Sequence, residues 1–246
     1  MNWNGIISLL FACIEFLLLF NLLVFAKKNR MNNMVMLMIT LLASYQTIEF
    51  LICQFRLHLS FYTYLAFVII SFLPPLNLLL VLTLTRNISL NLKAFSIFIP
   101  AIAFSVYYLF VIPKFSVAAC TLFYAIYHYP LGALYGLFYY LPILIVIIEL
   151  ARFITQTNDK DGKAIPKTEK LISKALLFGA IFISLPVLVG FVLMFTGNDF
   201  LISAIVSVMC KFAFVYAIIL SFVGFYNSPI NDERNYFKYL FNNKQQ

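Results

Sequence analysis

Two ionisable residues stand inside apolar runs where charge is expensive: Lys211, in SVMCKFAFVYAIIL, and Glu15, in ACIEFLLLF. An unpaired ammonium in the middle of a bilayer costs several kcal/mol, so it should face a bundle interior or a wet cavity and have a partner. Counted from the outer ends of their segments, Glu15 lies ten residues deep and Lys211 eleven. At 1.5 Å per residue these depths are about 15 and 16 Å. The first and last helices of a closed ring are neighbours, so the sequence predicts a Glu15–Lys211 ion pair. Such a pair either lines a ligand cavity and changes partner when something binds, or only fixes helix register, since buried pairs are not reliably worth net stability.

Further polar residues interrupt the second and third apolar runs. Ser44, Tyr45, Gln46, Thr47 and Glu49 fall together, and Glu49 sits seven residues from Arg56 on one helical face. A pair at the outer rim is the plain reading of those two, and a ligand contact the sharper one. Pro74 and Pro75 precede Asn77 in the third run, and Pro100, Pro142 and Pro186 interrupt three others. Each proline removes an amide donor and releases a carbonyl one turn earlier, which hydrocarbon does not tolerate unless other groups or water satisfy the backbone. Bends of this kind hold a central cavity open, although ordinary packing also accepts them. Between the fourth and fifth runs, Lys114 to Pro130 is too apolar for an idle loop. It should fold over the bundle mouth, with Tyr124, Tyr127, His128 and Tyr129 as an aromatic lid or as interface anchors. The candidate ligand-binding set is therefore Glu15, Tyr45, Gln46, Glu49, Asn77, His128 and Lys211.

Catalytic chemistry finds little to work with. Both histidines, His58 and His128, fall at the outer rim, and no run carries two carboxylates at catalytic spacing. No serine or cysteine has an evident base beside it. Glu149 and Arg152 read as a surface pair near the inner end of the fifth run. Cys13, Cys53, Cys120 and Cys210 lack the close paired spacing of a metal site. Cys53 and Cys120 both lie near the outer face, where a disulfide can form. The expectation is a protein that is not an enzyme and holds no metal.

The elements that position these residues follow from composition. Of 246 residues, 63% are hydrophobic and only 11% charged, and the mean hydropathy is +0.97. Soluble domains carry roughly a quarter charged residues, so an integral membrane protein is expected. The net charge of +8 then reflects loops facing the cytoplasm and anionic lipid, and no nucleic acid. Seven apolar segments run from Gly5 to Ala26, Asn33 to Cys53, Phe61 to Thr85, Ala94 to Ile112, Leu131 to Phe153, Leu171 to Phe195 and Phe200 to Tyr226. About 20 apolar residues make one helical crossing, and barrel strands would alternate over about ten. The fold class expected is all-α, a seven-transmembrane helix bundle over 1–226 in the cell membrane.

With the amino terminus outside, 14 of the 17 basic residues fall on the cytoplasmic side, as the positive-inside rule requires. Trp3 is then an outer interfacial anchor. The first segment lacks a preceding basic residue and a small-residue cleavage pattern, so it reads as a retained helix rather than a signal peptide. Residues 227–246 form a cytoplasmic tail, read either as a short interfacial helix through Tyr236, Phe237, Leu240 and Phe241 or as a frayed end. Gly132 and Gly136 form a GxxxG spacing that serves packing within the bundle or a homodimer.

Taken together, SYQTIEF on helix two, FLPPLNLLLVLTLTR on helix three, IPAIAF on helix four and YHYPLGALYGLFYYLPIL entering helix five resemble the seven-helix membrane sensor region at the N-terminus of bacterial and archaeal histidine kinases. The likeness covers most of residues 5–226 in helix order, orientation and loop lengths. A signalling module normally follows such a region, whereas about 20 residues follow Tyr226 here. The resemblance therefore implies a standalone sensor that passes its signal to a separate cytoplasmic protein through the 155–170 loop or the tail.

Three functions follow as expectations. The leading one is a receptor-like module binding an apolar or amphipathic molecule, or a lipid, in an outward-opening cavity. A second is a retinal protein, because a lysine midway along helix seven is where microbial rhodopsins, which this feature resembles, form their Schiff base. Ser207 stands where such proteins usually have an acid, and helix three has none, leaving Glu15 as counterion. The third is a small ion-coupled transporter built on the intramembrane acid and lysine.

Overall fold

The computed structural model describes residues 3–26, 29–55, 60–86, 92–111, 132–156, 167–194 and 199–226. All regular structure among them is helical. α1 spans Trp3–Phe25 and α2 Arg30–Phe55. Asn29 precedes α2, and its side-chain oxygen accepts the Asn32 amide at 2.7 Å. This is an N-cap that satisfies one of the orphan donors of the first turn of α2. Asn29→Ala should lower unfolding stability in detergent by about 0.5–2 kcal/mol, and Asn29→Ser should restore most of it; a denaturant titration of the three proteins checks this.

α3 covers Ser60–Arg86 with Pro74 and Pro75 inside it. The fourth apolar segment is broken where a single bent helix is expected. A short α4 at Leu92–Phe95 passes into a 3-10 turn at Ser96–Phe98 and then α5 at Ile99–Val111. Pro100 explains the break. It has no amide to offer Ser96, and the Ile99 amide bonds that carbonyl instead, tightening the turn. α6 runs from Gly132 to Thr155, α7 from Lys167 to Met194 and α8 from Asp199 to Tyr226.

Among the described residues, four helices are long and apolar enough to cross a bilayer, over Gly5–Phe25, Arg30–Ile52, Tyr64–Arg86 and Gly136–Thr155. This points to a membrane protein. The seven longer helices close a ring in chain order, each packing on the next, and α8 packs back onto α1. Further contacts between α3 and α6 and between α2 and α8 draw the ring inward. α3 is the central element, with 72% of its apolar stretch buried, whereas α1 buries 22% and turns most of its surface outward.

The core divides in two. One cluster joins Leu22, Met38, Leu42, Leu80, Leu150 and Leu220; the other gathers around Phe67 with Tyr45, Phe104 and Tyr139. Seven hydroxyls are satisfied within their own helices, since Thr40, Ser44, Thr47, Ser71, Thr83, Thr85 and Ser221 donate to carbonyls four residues earlier. That is the economical arrangement where no water competes. Ser44 and Thr47 thereby need no ligand to account for them.

The Glu149–Arg152 pairing does not form. Glu149 accepts instead from Arg86, with Nε at 3.1 Å from Oε2 and a second bond from Nη2. This fork ties the end of α3 to α6, because the two helices pack side by side and bring Arg86 in the last turn of α3 against Glu149. Arg56, the Cys53–Cys120 disulfide, the 114–130 lid with His128, the 157–166 part of the basic loop and the 227–246 tail all lie outside the described side chains.

Candidate functional site

Two cavities flank the prolines of α3. The smaller, about 60 Å³, lies between α2, α3, α6 and α8 and is lined by Tyr45, Pro74, Asn77, Tyr139, Phe212 and Tyr216 among others. The larger, about 220 Å³, lies between α3, the 3-10 turn with α5, and α6, with Ser71, Pro75, Pro100, Phe104, Phe138 and Pro142 in its wall. Consecutive helical residues point about 100° apart. The adjacent prolines therefore open towards different sides, Pro74 to the smaller cavity and Pro75 to the larger.

The smaller cavity carries the polar groups. Asn77 Oδ1 accepts from the Tyr216 hydroxyl at 2.6 Å, joining α3 to α8 across the bundle. These helices make little other contact. On the opposite wall the Tyr45 hydroxyl donates to Glu49 Oε1 at 3.0 Å in a buried bond. Tyr216 is seated by Gly179 on α7: a Cβ there would come within 2.7 Å of its ring. Pairs of this kind cross-link helices where a lone polar group would be costly. A space of about 60 Å³ takes a few water molecules and excludes a lipid chain.

The larger cavity is apolar, and two of its lining residues, Leu141 and Ile145, are exposed on the outside of the bundle. Its edge therefore reaches the flank that hydrocarbon would cover. Pro100 of α5 and Pro142 of α6 both stand in its wall.

Of the expected ligand residues, Tyr45 and Asn77 line the smaller cavity, and Glu49 is held by Tyr45 beside it. Gln46 is fully buried but does not line either cavity. At 100° per residue it falls within about 20° of Val35 around α2, and Val35 converges with Leu22 of α1 at Gly224 of α8. Gln46 thus points to about the same side of α2 as Val35. Compared with known protein families, curated proteins and solved structures, the chain matches none. The site is read from its own geometry.

The Glu15–Lys211 pair is not formed. Glu15 is fully buried, and neither of its carboxyl oxygens has a hydrogen-bond partner among the described residues. Lys211 is exposed. Register is the reason. Phe11 stacks on Phe214 at 4.2 Å between ring centroids, and Leu22 meets Gly224. The two helices thus run parallel, offset so that Ser8 lies level with Lys211 and Glu15 with Ala217. At 1.5 Å per residue the carboxyl lies about 10 Å below the lysine along the bundle. Equal depth within each helix does not mean equal height, because α8 begins about two turns beyond Trp3. Lys211 stands near the level of the α1 start and is exposed there.

The sequence reading did not single out Tyr216, Tyr139 or Phe212. The available signal was the amide of Asn77, which inside a span needs partners from a neighbouring helix; with 15 tyrosines in the chain, spacing alone did not say which one supplies the donor.

Proposed function

We propose that the chain is a seven-span, receptor-like membrane module, with its amino terminus outside and its carboxyl terminus in the cytoplasm, that takes a small apolar or amphipathic molecule from the bilayer into the larger cavity. The convergence of Pro75, Pro100 and Pro142 on that one space carries this reading. Three helices that each lose an amide donor to proline at the same place are three helices able to change angle there. A cavity reached from the flank of the bundle selects molecules already dissolved in lipid.

Signal transmission follows from connectivity. α3 and α6 each carry a proline at this cavity, and both continue to the Arg86–Glu149 fork, after which α6 enters the basic 155–170 loop. A ligand that binds one arrangement of the bends better than another shifts their populations and hence the position of that loop. The loop is the proposed contact for a separate cytoplasmic protein or anionic lipid. The exposed Lys211 offers no enclosed amine for a retinal Schiff base, so the rhodopsin reading lacks the geometry it needs. The sensor-region resemblance supports the receptor reading through helix order and the proline-bearing α3.

Ala101 is a buried wall residue of the larger cavity, and Ala101→Phe should fill it. Small molecules copurifying with the wild-type protein in native mass spectrometry should be lost from the variant, while its melting temperature in detergent is kept. Identical bound species in both proteins would place the ligand elsewhere. A second reading, a small ion-coupled transporter, is favoured by the buried Glu15 and predicts Glu15-dependent substrate uptake into proteoliposomes.

A further inference from the structure

α1 meets the bundle along a narrow stripe. Gly5, Ser8, Ala12, Glu15 and Leu22 are buried, while Leu9, Leu10, Ile14, Phe16, Leu17 and Phe20 face out. The only charged residue of α1 is thus aimed inward, into the groove that α2 and α8 form with it. Every ionisable group described on those two helices is engaged or directed elsewhere. On α2, Arg30 is exposed at the helix start, and Tyr45 and Glu49 are bonded to each other. On α8, Tyr216 is bonded to Asn77, and Lys211 is exposed about two turns further out.

A bare carboxylate cannot persist in such a place. Without a hydrogen bond or a counter-ion its burial costs far more than a folded protein has to spare, so the group must hold one positive charge. We propose that the Glu15 groove is a binding site for a monovalent cation, either a proton or an alkali metal ion, reached from the amino-terminal end of α1. Gln46 of α2, also fully buried, stands about one turn further out than Glu15. Ser8, two turns from Glu15 on the same stripe, continues a polar line towards Trp3. The residues at the level of the carboxyl, Ala12 and Ala217, are small and buried.

A lipid-soluble carbodiimide tests this on the full chain in liposomes. The protonated carboxyl adds across one C=N bond of dicyclohexylcarbodiimide, its oxygen to carbon and its proton to nitrogen. The acyl group then shifts to nitrogen, leaving a stable N-acylurea one carbodiimide heavier. We expect a single adduct on the peptide containing Glu15, lost in Glu15→Gln, retained in Glu15→Asp, and decreasing as pH rises from acid to alkaline. Protection by sodium at fixed pH, against choline at equal ionic strength, assigns the site to an alkali ion; loss of labelling with pH alone assigns it to a proton. An adduct indifferent to both pH and sodium, or none on Glu15 in the folded protein, would overturn the proposal. If Glu15→Gln does not fold, the wild-type pH and sodium series still decides.

Discussion

Tyr216→Ala should cost about 2–4 kcal/mol of unfolding free energy in detergent, whereas Tyr216→Phe should cost about 1 kcal/mol. In water-soluble cores an aromatic-to-alanine change loses a transfer term as well as leaving a cavity. Lipid-solvated helices lack much of the transfer term, which lowers the expected cost without removing it, because the ring's packing on Gly179 is still lost. The phenylalanine variant keeps the ring and removes only the donor to Asn77. Interhelical bonds in membranes average about 0.6 kcal/mol, and leaving Asn77 Oδ1 without its donor adds to that. Denaturant or SDS unfolding of the two variants separates packing from hydrogen bonding. Equal losses would mean the bond carries the contact, and a Phe variant as stable as wild type would mean that Asn77 finds another donor.

Gly179→Ala should be the second large effect, about 1–3 kcal/mol from overpacking. The added methyl would lie 2.7 and 2.8 Å from two ring carbons of Tyr216. The ring is rigid and anchored by its hydroxyl, so it must swing or the helices must part. Gly224→Ala is the control. Its close neighbour, at 2.8 Å, is the end of the flexible Leu22 side chain, which can rotate, so the cost should stay below about 1 kcal/mol. Combining Gly179→Ala with Tyr216→Ala should erase most of the penalty, since the clash partner is gone. A double-mutant cycle with no coupling would show that the glycine serves α7 itself rather than the ring.

Helix positions were readable because apolar runs of membrane length are bounded here by abrupt polar breaks. The expected Asn33–Cys53 segment, for example, is observed as Arg30–Phe55, extended at its start by the Asn29 cap. The ring closure of α1 on α8 was likewise accessible from chain order. The break at Pro100 shows the limit: proline signals a disturbance, but whether it becomes a bend or a 3-10 turn depends on which amide reaches Ser96. The site was half visible. Tyr45 and Asn77 stood out as polar residues in greasy helices, and both reach the smaller cavity. Lys211 misled for a physical reason. Depth within a segment was measured from its own end, and relative sliding of two helices is set by side-chain packing, by Phe11 on Phe214 and Leu22 against Gly224, which no single-helix pattern encodes. Arg86 with Glu149 escaped in the same way, since a partner 63 residues away competes with a neighbour three residues away only once helices are assembled.

The groove around Glu15 is built from helices far apart in the sequence, and this bears on biogenesis. During synthesis at about 5–20 residues per second, the stretch separating α1 from α8 occupies the ribosome for roughly 10–40 s. Throughout that interval α2 alone can shelter the acid, and the wall later supplied by Ala217 is still unmade. The nascent α1–α2 hairpin must therefore tolerate an acidic residue without its full enclosure, and the groove is complete only when α8 arrives to close that flank.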